Sequence, residues 1–184
     1  PTCTTYQEIL DQYLAYAPMV REVAPDSELL GPVSYCWHYY WNSPAGTADK
    51  LKNGNQDFLP WFLDQVRQHD EQKGVRSIDV LDIHYYPEGV FRGGSDPESA
   101  AHRLRSTRSL WDPTYVDESW IEKPVALIPR MKQVIAEHYP DLKLGITEWN
   151  FGAEDHISGA LAIADVLGIF GREDVYMANY WTHP

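Results

Sequence analysis

The run from Leu144 to Asn150 (LGITEWN) contains the residue best suited to chemistry, Glu148. The apolar residues of the run indicate a buried strand, and Glu148 falls where that strand must end. A carboxylate at the tip of an apolar strand is costly unless it is ion-paired, bound to a metal or used in a reaction. Trp149 beside it offers a ring on which a sugar can stack. We interpret Glu148 as a glycosidase nucleophile; the alternative is a structural ion pair with an Arg or Lys.

Two further residues are candidate partners of this carboxylate. A retaining glycosidase uses two carboxyl groups about 5 to 5.5 Å apart, one to attack the anomeric carbon and one to protonate the leaving oxygen. The attacking group must stay ionised, which requires hydrogen-bond donors around it. His84 and Tyr86 close a second predicted strand and are two residues apart, so we expect both to point to one side and to contact Glu148. The alternative is that His84 and Tyr86 are polar residues of the core whose hydrogen bonds are made within the protein.

Aromatic residues follow all four predicted strand ends. We expect some residues of the first strand-end cluster, Trp37 and Trp41 among them, to line a substrate cleft. Trp181, at the end of the last strand, fits either a floor for a sugar ring or a plug of the core. Trp149 and Asn150 complete the predicted substrate-binding residues.

The elements that must position these residues alternate, helix then strand, four times along the chain. Helices are predicted over Tyr6–Val23, Phe58–Gln68, Trp120–Tyr139 and His156–Phe170, and strands over Glu28–Ser34, Ser77–Tyr85, Lys143–Glu148 and Val175–Trp181. Alternation of this kind predicts an α/β fold with a parallel sheet covered on both faces. The long connections, 35–57 and 87–119, follow strands, as do the active-site loops of (β/α)8 barrels. Four such units predict a partial (β/α)8 TIM barrel.

Composition narrows the function classes. The 184 residues carry a net charge of -12 with a pI near 4.9, which disfavours nucleic acid and anionic membrane surfaces as partners. The chain has no apolar run long enough to span a bilayer and no phosphate loop, which argues against a phosphate-handling metabolic barrel. Aromatic residues reach 13%, with 7 Trp and 12 Tyr, and this excess fits contact with a polysaccharide.

Charged residues between 88 and 118 are predicted to be structural or solvated. The acids of this loop are expected to face solvent, with a structural calcium site as the alternative; they are Glu88, Asp96, Glu98, Asp117 and Glu118. The basic residues Arg103, Arg105 and Arg108 are expected to pair with nearby acids.

Several motifs together resemble glycoside hydrolase family 44, and the resemblance covers nearly the whole chain. They are Leu81–Pro87 (LDIHYYP), Ser106–Tyr115 (STRSLWDPTY) and Ile146–Asn150 (ITEWN), with Gly31–Ser34 and Tyr180-Trp181 in support. The resemblance implies a retaining endo-β-1,4-glucanase with a (β/α)8 barrel, acting on cellulose derivatives, xyloglucan and in some members xylan. It implies that Glu148 is the nucleophile, that the four strands are the fifth to eighth of the barrel, that catalysis needs no cofactor and that the enzyme is secreted.

The sequence departs from the family pattern at the acid/base residue. The family carries that glutamate in an Asn-Glu-Pro motif after the fourth strand, and this sequence contains no Asn-Glu-Pro. Glu88 and Glu154 lie in Gly-flanked loops and are not expected to replace it. We therefore expect residues 1–184 to be a fragment of one barrel domain, without the first half-barrel and the accessory β-sandwich, and to need the remainder of the barrel for hydrolysis. The competing interpretation is a non-catalytic polysaccharide-binding fragment.

Overall fold

A computed structural model describes residues 3–90 and 92–182. In chain order its elements are α1 (Tyr6–Val23), β1 (Leu30–Ser34), α2 (Trp37–Trp41), α3 (Thr47–Lys52), α4 (Phe58–Lys73), β2 (Val80–Tyr85), α5 (Pro97–Ser106), a 3-10 helix (Thr107–Leu110), α6 (Leu127–His138), β3 (Lys143–Trp149), α7 (Ile157–Arg172) and β4 (Met177–Tyr180). The fold class is α/β, as the alternating pattern predicts.

The four strands are parallel and lie in the sheet in chain order, β1-β2-β3-β4. Leu30 pairs with Val80 and Gly31 with Leu81, and a bulge interrupts the register between Pro32 and Ser34. Parallel strands covered on both faces are apolar throughout, and β2 is accordingly buried along nearly its whole length. Among the described residues, no helix is both long and apolar enough to cross a bilayer.

Local signals account for the helix ends that the sequence predicts well. Helix α1 has the predicted bounds because Thr5 and Glu8 form a capping box at its start. Helix α4 continues five residues beyond the predicted end, to Lys73, where Gly74 takes the left-handed conformation with φ of 64°. Helix α7 begins after His156, whose side chain accepts a hydrogen bond from the Ser158 N–H.

Helix α6 begins at Leu127, so the predicted start at Trp120 is wrong. The preceding segment is held in turns by hydrogen bonds that compete with a helix: the Asp117 carboxylate accepts from the backbone and the hydroxyl of Ser119. Pro129 lies in the first turn of α6, where a missing N–H breaks no helical hydrogen bond, so it neither ends nor kinks the helix.

The long connections contain short helices that the sequence pattern did not predict. Helices α2 and α3 lie between β1 and α4, and α5 with the 3-10 helix lies between β2 and α6. These segments span only 5, 6, 10 and 4 residues, too short for a helical period to stand out.

The charged residues between β2 and α6 make more hydrogen bonds and ion pairs within the protein than the sequence predicts. Asp117 is 5% exposed and accepts from the Ser109 hydroxyl at 2.7 Å, so its predicted solvation is wrong. The expected ion pairs are confirmed for Arg105 with Glu118 and for Arg108 with Asp112, each with N–O distances under 3 Å.

The chain divides into two compact units. The first comprises Pro1–His84 and Gln133–Gly145, and the second comprises Tyr85–Lys132 and Ile146–Pro184. In the first unit, Tyr6 packs against Phe58 and Trp61 with ring centroids 4.9 and 5.1 Å apart. The core of the second unit includes Tyr85 of β2, Ile146 of β3, Phe151 of the loop after β3, and Val166 and Phe170 of α7.

Candidate active site

Glu148 and Tyr86 meet in the second unit. Glu148 is the penultimate residue of β3, and Tyr86 directly follows β2. The Tyr86 hydroxyl donates a hydrogen bond of 2.8 Å to Glu148 Oε2, and both side chains are half-buried. Burial and then this bond raise the pKa of Tyr86, so the phenol stays protonated and acts as the donor. The arrangement supplies one of the donors that an ionised nucleophile needs.

Trp149 is part of the core and does not present a ring to solvent. It is 2% exposed and packs edge-on against Phe170 and Tyr180, with ring centroids 5.2 and 5.0 Å away. Its side chain alternates with that of Glu148 across the pleat of β3. The predicted sugar-stacking role of Trp149 is therefore corrected to a packing role.

Asn150 has its amide fully engaged within the protein. It is 3% exposed; its Nδ2 donates to Glu154 Oε1 and to the Trp181 carbonyl, both at 2.6 Å, and its Oδ1 accepts from the Gly152 N–H at 2.6 Å. An amide nitrogen has two protons, so both are used. Asn150 thus joins the ends of β3 and β4 and is not placed to bind a substrate directly.

Trp181 combines a fixed backbone with an accessible ring. Its N–H donates to the Trp149 carbonyl at 3.1 Å, and its carbonyl accepts from Asn150. The residue is 45% exposed, so Trp181 does not fill the core in the part of the chain that the structure describes. Of the predicted stacking residues in the second unit, Trp181 is exposed and Trp149 is buried.

The remaining predicted site residues lie in the first unit. His84 is half-buried, and its carbonyl accepts a hydrogen bond from the Tyr40 hydroxyl. Trp37 is 7% exposed and packs against Trp41, with ring centroids 5.2 Å apart. Trp41 is half-buried, and its carbonyl accepts from the Tyr6 hydroxyl at 3.0 Å. Trp41 therefore presents more surface than Trp37.

The loop after β3 is held by Arg103, which the sequence assigned to an ion pair. Arg103 is fully buried and donates instead to neutral oxygens: the Phe151 carbonyl at 2.9 Å, the Ser158 hydroxyl at 2.8 Å and the carbonyls of Gly93 and Gly94. The expected pairing with an acid is wrong for this residue. A guanidinium has five donors in a fixed plane, so one side chain can tie three segments together.

Glu154 and Tyr180 form a polar contact that the sequence pattern does not predict. The Tyr180 hydroxyl donates to Glu154 Oε1 at 2.8 Å, next to the bond from Asn150. Glu154 lies in a loop, two residues after Gly152, and Tyr180 belongs to a short strand, so neither shows a pattern of its own. The one available signal was the position of Tyr180 at a strand end.

The acidic residues provide no metal site in the part of the chain that the structure describes. There, no three His, Cys, Asp or Glu side chains come together as ligands. The acids of the 88–118 loop serve other purposes: Asp96 caps α5, and Glu118 pairs with Arg105. The calcium alternative finds no support in these residues.

Comparison with known proteins gives the family. The sequence model of glycoside hydrolase family 44 matches residues 1–89, a range that includes His84 and Tyr86 but not Glu148. Endoglucanase A of Paenibacillus lautus is 38% identical over 186 residues, which cover 95% of this chain and 27% of that protein.

Solved structures agree over almost the whole chain. CelM2, a bifunctional glucanase-xylanase protein from a metagenome library, is 42% identical with a TM-score of 0.94 over 98% of this chain and 37% of its own. A Paenibacillus polymyxa xyloglucanase from family 44, solved with xyloglucan, is 35% identical with a TM-score of 0.90 over 98% of this chain and 38% of its own. The chain thus spans less than two fifths of these relatives, and by these matches it belongs to glycoside hydrolase family 44.

Proposed function

We propose that this chain carries the nucleophile of a retaining endo-β-1,4-glucanase, Glu148, together with part of its glucan-binding surface. The observation that carries the proposal is the 2.8 Å hydrogen bond from the Tyr86 phenol to Glu148 at neighbouring strand ends. In the same unit, Trp181 has a fixed backbone and an exposed ring. A carboxylate held by a neutral donor fits the attacking one of the two carboxyl groups that a retaining glycosidase uses, and an exposed aromatic residue fits contact with a sugar ring.

The proposed reaction is a double displacement. Glu148 attacks the anomeric carbon, the glycosidic C–O bond breaks, and a covalent glycosyl-enzyme forms while an acid protonates the leaving oxygen. Water then attacks the same carbon with help from that group acting as base, and Glu148 leaves as a carboxylate. Tyr86 orients Glu148 throughout, and the reaction needs no cofactor. We propose His84 as a further substrate-binding residue.

The proposed substrates are β-1,4-glucans. The names of the relatives support this class: an endoglucanase, a glucanase-xylanase and a xyloglucanase that was solved with xyloglucan. We propose cellulose-type glucans and xyloglucan as substrates, and we propose that Trp181 and Trp41 contact the sugar rings. Outside the cell is the compartment where such polymers occur, so we propose a secreted enzyme.

We further propose that the four parallel strands form part of a (β/α)8 barrel, as its fifth to eighth strands. The similarity to solved family 44 chains over 98% of this chain supports this assignment. In a closed barrel, β1 and β4 each pair with a further strand. A structure of the full-length protein in which either strand stays at a sheet edge would contradict it.

The test of the nucleophile is Glu148→Gly in the full-length protein. We expect loss of turnover on xyloglucan and carboxymethyl cellulose, with partial recovery when azide is added, because the small anion fits the space left by the side chain and attacks in its place. The product of that reaction is a glycosyl azide, which mass spectrometry identifies. The matched control is Glu148→Gln, which also lacks a nucleophile but fills the space, so azide should not rescue it.

Two results would contradict the assignment of Glu148 as the nucleophile. One is normal turnover by Glu148→Gly, and the other is glucan binding that survives in a wild-type protein without any hydrolysis, which favours a binding function. We also expect the isolated 184-residue chain to be inactive, since it has no Asn-Glu-Pro motif and acid-base assistance contributes about 10² to 10⁴-fold. Release of reducing sugar by that purified chain would contradict this expectation.

A further inference from the structure

We propose that Glu154 is a positioning residue that holds Trp181 in place for glucan binding, acting through Asn150 and Tyr180. This inference rests on the proposed function, because it assigns the surface on which the glucan would stack. It concerns a carboxylate that has no part in the double displacement. No local sequence pattern predicts the contacts of Glu154.

Two side chains donate hydrogen bonds to the same oxygen of Glu154. Its Oε1 accepts from Asn150 Nδ2 at 2.6 Å and from the Tyr180 hydroxyl at 2.8 Å. Asn150 follows β3 and Tyr180 ends β4, so the carboxylate links the ends of two strands. Burial, followed by the bond to Glu154, raises the pKa of Tyr180, which keeps this phenol a donor.

Glu154 is one of three groups that favour the orientation of the Asn150 amide. With Nδ2 toward Glu154 and the Trp181 carbonyl, and Oδ1 toward the Gly152 N–H, every contact joins a donor to an acceptor. A flipped amide would place Oδ1 against two oxygens and Nδ2 against an N–H. The carboxylate therefore helps select the one orientation in which Asn150 donates to Trp181.

The backbone of Trp181 is held at both its N–H and its carbonyl. Its N–H is bonded to the Trp149 carbonyl at 3.1 Å and its carbonyl to Asn150. Trp181 lies just beyond the last residue of β4, where the strand no longer constrains it. A residue whose backbone is fixed before the sugar arrives loses less conformational entropy on binding, so these bonds favour affinity.

The experiment compares Glu154→Ala, Glu154→Gln and the control Asp155→Ala in the full-length protein. Asp155 is the neighbouring exposed carboxylate, so its removal changes the loop charge equally. We expect Glu154→Ala to raise KM for xyloglucan by roughly 3- to 10-fold, the effect of about one lost hydrogen bond, with kcat little changed. Glu154→Gln keeps an oxygen at Oε1 and should restore most of the affinity, and Asp155→Ala should match the wild type.

A second measurement does not depend on activity. In protein labelled with 5-fluorotryptophan, the ¹⁹F resonance of Trp181 is identified by its absence in Trp181→Phe. We expect Glu154→Ala to shift and broaden that resonance while the signals of Trp37 and Trp61, which belong to the first unit, stay in place. Glu154→Gln should leave it close to the wild-type position.

Each unfavourable outcome has a distinct meaning. An unmoved Trp181 resonance with unchanged KM in Glu154→Ala overturns the proposal, as does a loss of thermal stability with kcat and KM unaffected, which would mark a purely structural role. If the wild-type protein hydrolyses no β-glucan, the proposed function fails, and the ¹⁹F measurement still decides whether Glu154 positions Trp181.

Discussion

Tyr86 and Glu148 form the residue-scale feature on which the proposed chemistry depends. A hydrogen bond from a neutral donor to a charged acceptor is worth about 1.5 to 3 kcal/mol when it forms in a partly buried place. The phenol is protonated at neutral pH because burial and the carboxylate itself both raise the pKa of Tyr86. Tyr86 therefore orients Glu148 without competing with it for charge.

Removal of this hydroxyl should slow turnover. We expect Tyr86→Phe to lower kcat by roughly 10- to 100-fold, the equivalent of one charge-assisted hydrogen bond, because Glu148 loses the donor that orients it. Steady-state kinetics on xyloglucan in the full-length protein measure the change. Tyr16→Phe, at an exposed position of α1, is the matched control and should behave like the wild type. Equal kcat in Tyr86→Phe and Tyr16→Phe would remove Tyr86 from the mechanism.

Glu118 gives a residue-scale prediction for acid stability. Hydrogen bonds from Arg105 lower the pKa of Glu118 to about 2 from an ordinary value of 4.5. Burial opposes this shift, and a hydrogen bond from the Tyr115 hydroxyl adds to it. A carboxyl group whose pKa is lower in the folded state stabilises the fold above its unfolded pKa, and this contribution is lost as the pH falls toward the folded pKa. The pair is surface-exposed, so the effect is small.

The expected result is a pH-dependent difference between the wild type and Glu118→Gln. At pH 7 the variant should unfold at a lower urea concentration, and the gap should close between about pH 4.5 and pH 2 as Glu118 becomes protonated. Asp155→Asn, which removes an exposed carboxylate in another loop, is the control and should show no such gap. A gap that is constant with pH would show that protonation of Glu118 is not the cause.

At the scale of elements, the start of α7 fixes the loop that carries Asn150 and Glu154. A Cβ added to Gly159 would lie 2.1 Å from the Ala153 carbonyl oxygen and 2.7 Å from that of Gly152. The helix therefore approaches the loop backbone as closely as only a glycine permits. Arg103 donates a hydrogen bond to the Phe151 carbonyl of the same loop. The segment after β3 is therefore held both by Arg103 and by the start of α7.

Two glycines of α7 should respond in opposite directions to the same substitution. Gly159→Ala should lower the free energy of unfolding by at least about 2 kcal/mol, because backbone atoms must move to admit the methyl group. Gly168→Ala meets nothing within 4 Å and should raise it by about 0.5 to 1 kcal/mol, since alanine favours a helix. Urea unfolding measures both. Similar effects at the two positions would show that the close approach at Gly159 does not exist in solution.

At the scale of the whole molecule, the sheet has β1 and β4 as its outer strands. The side chains in the middle of β4, Ala178 and Asn179, are exposed. A strand of this kind offers unpaired backbone groups to any other chain. The net charge of -12 at pH 7 opposes association by mutual repulsion.

The isolated chain should therefore self-associate, and more strongly as the pH approaches the pI near 4.9. Sizing chromatography with light scattering measures the state. We expect Ala178→Lys to reduce association, because a charge on the strand disfavours pairing, whereas Ala160→Lys on α7 adds the same charge at another exposed position and should do so less. A clean monomer at all concentrations and at both pH values would contradict this prediction.

The sequence by itself determined the order of the elements and the position of Glu148 at a strand end. Both follow from local patterns, since helices and strands have periods of 3.6 and 2 residues and end at recognisable caps. Helix α1 and the parallel α/β class are predicted in this way. The same method misplaced the start of α6 and missed α2, α3 and α5, because short or turn-forming segments lack a period.

The tertiary structure alone decided what each polar residue contacts. Tyr86 reaches Glu148 across 62 positions of sequence, and Asn150 reaches Trp181 across 31. Such contacts depend on strand register and on loop paths, which no local pattern encodes. For that reason Trp149 belongs to the core although it neighbours Glu148, and the Asn150 amide is bonded to Trp181 and Glu154. The residue types indicated the chemistry, and the fold determined which of them can take part in it.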